Sequence, residues 1–103
     1  MFYRLEMSAD GKEWEGIFSF LYPDQRRYIG RTLKEPKWYQ KNPGVNSRCW
    51  FTQKGYEKFG GILEEMAEEM MDQNPVYQFR ILEKEKPENV VMQGKIQCIE
   101  LIK

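Results

Sequence analysis

The chain contains no histidine. That removes the side chain that titrates nearest neutral pH, and with it every Ser-His-Asp or Cys-His arrangement and every histidine-containing zinc site. Cysteine is almost missing too. Cys49 and Cys98 stand 49 residues apart, which makes no metal site by itself. In an intracellular protein they read as two reduced, buried small side chains.

Long apolar runs are absent, and none approaches the roughly 20 residues that a membrane-spanning helix needs. The opening stretch MFYRLEMSADGKEWEG has no apolar core of the kind a secretory signal requires. The expectation is a cytoplasmic protein with no membrane contact. Neither a G-x-x-x-x-G-K-[ST] loop nor a G-x-G-x-x-G turn occurs. Gly60-Gly61 is no substitute, because apolar and acidic residues follow it where a phosphate would need donors. No cofactor and no metal are expected, and no catalytic residue can be named. A non-catalytic role leads, while an enzyme working through carboxylates stays as an alternative.

Net charge is missing as well, since 16 basic residues balance 16 acidic ones. The balance conceals a division. Residues 26 to 58 hold nine basic residues and only two acids, Glu35 and Glu57, for a local charge of +7. The rest of the chain holds seven basic residues against fourteen acidic ones, for −7. A split of this kind concerns partners and solubility rather than fold.

What is present is ample apolar residue, 41% of the chain with 15% aromatic, enough for one domain with one modest core. Residues 2 to 8 alternate, with Tyr3, Leu5 and Met7 on one face and Arg4 and Glu6 on the other, as in a half-buried strand. Asp10-Gly11 supplies a turn with positive φ. Residues 14 to 22 fit either a strand paired back onto the first or a short helix. Residues 23 to 36 read as a short helix, with Pro23 and Asp24 at its start, Tyr28, Ile29, Thr32 and Leu33 on one face, and Pro36 as its stop.

Residues 37 to 48 form a loop around Asn42-Pro43-Gly44, followed by a brief strand at Cys49, Trp50 and Phe51. Thr52 can cap a long helix whose apolar stripe runs through Phe59, Leu63, Met66, Ala67 and Met70 at intervals of three and four. Gly60-Gly61 implies either a junction of two shorter helices or a close approach of another backbone. Asn74-Pro75 ends the element. Residues 76 to 84 alternate again. Residues 90 to 102 read as one further strand with a bulge at Gly94, and these last two strands are expected to form a hairpin. The expected fold is a small single α+β domain, residues 1–103. It holds an antiparallel sheet of three to five strands packed by one long helix plus a short helix.

Two charged surfaces are the candidate sites. The basic window interleaves its cations with Tyr28, Trp38, Tyr39, Trp50, Phe51 and Tyr56. Cations beside aromatic faces suit single-stranded or structured nucleic acid, and Arg26, Arg27, Arg31, Lys34, Lys37, Trp38 and Lys41 are the candidate nucleic-acid-binding residues. The second surface is the end of the long helix, where Glu64, Glu65, Glu68, Glu69 and Asp72 crowd together. Glu64/Glu68, Glu65/Glu69 and Glu68/Asp72 are like-charge pairs, each unfavourable by about 0.2–0.5 kcal/mol. Acids at a helix C-terminus also oppose its dipole, by about 0.3–1 kcal/mol each near the last turn. The ordinary explanation is a solvated face of good helix formers. The sharper one is a positive surface lying against it.

That positive surface could be the chain's own basic segment, a second copy docked head to tail as a homodimer, or a separate basic protein. The leading expectation is a small binding protein that occupies a charged surface on a protein partner. Small proteins of this make-up are frequent among accessory products of phages and mobile elements. Some of those inhibit nucleic-acid-handling host defence proteins, CRISPR effectors among them. Nucleic acid, met directly or through a ribonucleoprotein target, is the second expectation.

Overall fold

The computed structural model of the chain describes residues 1–33 and 47–102, and in the short helix no side chain at positions 30, 32 and 33. Alternation in the first segment becomes strand β1, Phe2–Ser8. Its turn is built as expected: Gly11 has φ +76°, and Asp10 Oδ1 accepts from the amides of Lys12 and Glu13 at 2.8 and 2.9 Å. The ambiguous stretch after it is neither a full strand nor an α-helix. It is a two-residue strand β2, Glu15–Gly16, paired antiparallel to β1, followed by one 3₁₀ turn over Ile17–Ser19.

The short helix α1 spans Pro23–Leu33. Ile29 is fully buried, but Tyr28 is 52% exposed and does not share the packed face expected of it. Strand β3 is Ser47–Phe51 and leads into α2, Gln53–Gln73. Thr52 caps α2 as expected, its Oγ1 accepting from the Gly55 amide at 3.1 Å. The same hydroxyl donates to the Lys95 carbonyl at 2.6 Å. Gly55 is fixed by this closeness, since a Cβ there would sit 2.1 Å from the Ile96 carbonyl oxygen.

Gly60-Gly61 does not divide α2, which runs unbroken through both. Among the described residues no foreign backbone crowds them either. A Cβ on Gly60 would meet the Tyr56 ring of its own helix at 2.7 Å, whereas Gly61 faces open space. The Tyr56 ring is held there by stacking on Tyr3, with centroids 4.1 Å apart.

Strands β4 (Gln78–Lys84), β5 (Val90–Gln93) and β6 (Gln97–Leu101) complete a six-stranded antiparallel sheet, one strand beyond the expected range. The expected final hairpin is different. β4 pairs with β1 over its whole length, and the hairpin is β5–β6. Gly94 therefore lies in a turn between two strands, its amide bonded to the Gln97 carbonyl, rather than at a bulge within one strand. The irregularity in β5 falls instead between Val90 and Met92. The strands follow β2-β1-β3-β6-β5, with β4 on the far side of β1.

The apolar core forms where α2 lies on β1 and β3. Leu5, Met7 and Phe51 meet Phe59, Leu63, Ala67 and Met70, with Ile17, Leu21 and Ile29 closing one side. At about 25 cal/mol per Å² of apolar surface removed from water, this contact is the main term that holds the layers together. The result is the expected α+β class. No helix among the described residues is long and apolar enough to cross a membrane.

Candidate protein interface

The face of the sheet away from α2 carries two buried carboxylates, each with its own partners. Glu6 on β1 is 3% exposed. Arg4 Nε approaches its Oε2 at 2.6 Å, and Arg80 Nε and Nη2 approach its Oε1 at 2.9 and 2.6 Å. Arg4 also donates to the Cys49 carbonyl at 3.0 Å, and the Trp14 ring covers Arg80 at 4.2 Å. Burial works to raise the Glu6 pKa. The hydrogen bonds and charges of Arg4 and Arg80 outweigh it and hold the carboxyl below its ordinary value.

Glu100 on β6, 5% exposed, is the second. Trp50 Nε1 donates to one of its oxygens at 3.0 Å and the Glu88 amide to the other at 2.7 Å, with Lys84 Nζ 3.8 Å away. A pocket of about 340 Å³ opens beside it, lined by Arg48, Lys84, Glu88, Asn89 and Glu100. Both carboxylate oxygens of Glu100 are thus already engaged. The two cysteines are free thiols on neighbouring strands. Burial pushes Cys49 to about 12 and Cys98 to about 11, so both stay protonated and unreactive near neutral pH. Among the described residues no group of three or more Cys, Asp or Glu side chains could hold a metal ion.

The acids of α2 are arranged differently. Phe59, Leu63, Ala67 and Met70 take the buried stripe, so the 3.6-residue period turns Glu65, Glu68, Glu69 and Asp72 outward. These four are exposed, and Glu64 is half-buried at the edge of the stripe. Ile62, Met66 and Met71 are partly buried and packed on the core margin. No cation stands in the last turn, and the Asn74 amide closes the helix on the Met70 carbonyl. Among the described residues none of the five acids forms an ion pair. Among the described residues of the basic window the ion pair is Arg27 with Asp24 at 2.6 Å, local to α1 and exposed.

Of the expected nucleic-acid-binding residues, Arg26, Arg27 and Arg31 lie exposed on α1. Arg26 donates to the Ser19 carbonyl at 3.3 Å. Lys34, Lys37, Trp38 and Lys41 lie outside the described residues, as does Tyr39. Trp50 and Phe51 are buried, and Tyr56 is half-buried against Tyr3, so these three rings offer no open stacking platform. Among the described rings of the basic window, Tyr28 is 52% exposed, on the same helix as the arginines.

The partners of Glu6 and Glu100 were not singled out in the sequence. Their signal was faint: Arg4 and Glu6 alternate on β1, which is also how a solvated strand face reads, and β6 carries Glu100 with no cation of its own. No protein-family model, no curated protein and no solved structure matches the chain.

Proposed function

We propose that this is a small, non-catalytic cytoplasmic binding protein whose working surface is the acidic outer face of α2, and that its partner is a protein with a basic groove. The observation that carries the reading is the contrast in how carboxylates are treated. Glu6 and Glu100 are matched by Arg4, Arg80, Lys84 and Trp50. Glu65, Glu68, Glu69 and Asp72 are exposed without an ion pair among the described residues, in the C-terminal half of the helix, with Asp72 in the last turn where acids are least favoured. Met66 and Met71 beside them add soft apolar margin suited to a surface that repacks on contact. Regularly spaced carboxylates on a rigid helix can stand in for the phosphates of a nucleic acid and steer association with a basic surface. A nucleic-acid-handling host defence protein, such as a CRISPR effector ribonucleoprotein, is the class of target that fits, with a phage or mobile element as the matching origin.

The test is charge reversal. Changing Glu65, Glu69 and Asp72 to lysine should abolish capture of the partner from native-host extract while the circular dichroism spectrum and melting profile are kept. Undiminished capture by the triple variant would end this reading.

A second reading rests on the exposure of Arg26, Arg27, Arg31 and Tyr28 together on α1. Direct RNA or DNA binding there should fall steeply with salt in a filter-binding titration, and replacing the three arginines should flatten that slope. Absence of binding at low salt would remove it.

A further inference from the structure

The two edges of the sheet are unlike. β5 is four residues long and irregular between Val90 and Met92, which is how proteins blunt a strand edge against unwanted pairing. β4 is neither short nor irregular, and carries Arg80, Glu83 and Lys84 as its charges. It pairs with β1 without interruption over all seven residues, contains no proline, and pairs with no other strand among the described residues.

Which backbone groups of β4 face outward follows from the ladder. The Thr52 amide donates to the Ile96 carbonyl, toward β6. Successive residues alternate in direction, so Phe51 turns its amide and carbonyl toward β1. Tyr3, opposite Phe51, turns its own toward β3 and therefore away from β4. Glu83, opposite Tyr3, and with it Ile81 and Phe79, point their N–H and C=O groups away from β1. None of these six groups has a hydrogen-bond partner among the described residues.

The same geometry places acids above that edge. Glu83 shares the face of Tyr3, and Tyr3 stacks on Tyr56 of α2. Glu64 follows Tyr56 by about two turns of α2, and the Tyr56 phenol is raised in pKa first by burial, then by the Glu64 carboxylate, its neighbour Tyr3 and the Glu83 carboxylate. Glu68 lies one turn beyond Glu64 on the same flank of the helix.

We infer that the outer edge of β4 is a strand-addition site, and that its occupant is an extended basic segment of the partner protein with lysine or arginine at alternate positions. The main-chain groups of Phe79, Ile81 and Glu83 supply the pairing. Alternate side chains of the added strand rise on the α2 side, where Glu83, Glu64 and Glu68 meet them. This rests on the acidic-surface reading of α2 and says how the partner reaches that surface.

The full chain should be mixed with a seven-residue peptide alternating lysine with threonine, and amide exchange followed by NMR. The peptide should slow exchange at Phe79, Ile81 and Glu83 at least tenfold. N-methylation of the peptide amides that face β4 should weaken binding at least tenfold, and a glutamate-for-lysine peptide should not bind. Binding that ignores N-methylation, or protection confined to α2, overturns the edge site while leaving the acidic surface standing. Equal binding of both peptides overturns the basic occupant. Protection of the three amides that grows with protein concentration in the absence of peptide overturns it in favour of a second copy. Glu83→Pro, which removes an outward amide and none of the β1 ladder, should reproduce the N-methylation loss. Should that variant fail to fold, the methylated peptide still decides.

Discussion

The carboxylates of the β-sheet and those of α2 show two ways of carrying negative charge. Glu6 and Glu100 lie on the face away from the helix, nearly sealed from water, and every oxygen has a donor. The α2 acids stand in solvent with no ion pair among the described residues. The cations that serve the buried pair come from β1 and β4, not from the strongly basic stretch that begins in α1. Among the described residues the fold therefore neutralises the charges it must bury and leaves the acids of the long helix without an ion pair. A formal charge of zero hides this, because it counts matched and unmatched groups alike.

The largest test of that contrast is Glu6→Leu. It strands Arg4, whose side chain is only 11% exposed, among buried neighbours. Removing one member of a buried pair costs about 3–5 kcal/mol, and urea denaturation should show a loss of that order. Acid should act in the same direction. Glu6 has a depressed pKa in the folded chain, so its contribution is complete above the ordinary glutamate value of 4.5 and fades as pH falls through the lower folded value. Denaturation midpoints of wild type should drop across that acidic window, and Glu6→Leu should flatten the dependence.

Trp50→Phe comes next. It puts a smaller phenyl ring in place of the indole and removes the donor to one oxygen of Glu100, leaving a buried acceptor short of a partner at a cost of about 1–3 kcal/mol. A thermal melt of smaller but clear destabilisation is expected, with Glu100→Gln partly restoring stability in the double variant.

Gly61→Ala probes the other side of the contrast. Nothing lies within 4 Å of a Cβ at this position, so the helix should gain about 1 kcal/mol. The same change at Gly60 should destabilise, because the Tyr56 ring occupies the space. A loss at Gly61 would mean that the outer face of α2 is already in contact with something in the free protein.

The smallest effect belongs to the acids themselves. Glu69→Lys and Asp72→Lys should each raise stability by roughly 0.3 kcal/mol through the helix dipole and relieved repulsion, and less at high salt. Destabilisation there would show that these acids already serve the fold.

Where the pattern was local, the residues announced the structure. The intervals of three and four from Phe59 to Met70, the Thr52 cap and Asn74-Pro75 define α2. Alternation defines β1 and β4, and Asp10-Gly11 their neighbouring turn. Partnership between distant strands was not legible. β4 crosses to β1 instead of folding onto its successor, and no short-range rule distinguishes a bulge at Gly94 from the hairpin turn it occupies. The buried faces of Glu6 and Glu100 escaped for the same reason. A polar residue at alternate positions of a strand signals water unless the cations that will cover it are known, and Arg80 lies 74 residues from Glu6. The acidic end of α2 was visible from the outset because its like-charge spacing is local.

The Thr52 side chain has a consequence for how the chain assembles. One hydroxyl both starts α2 and grips the turn at Lys95, while Gly55 lets the Ile96 carbonyl come close enough for the grip to hold. The first turn of the long helix and the C-terminal hairpin, some forty residues apart, therefore lock or release together. The opening motion that frays one must fray the other, and the two behave as a single cooperative unit.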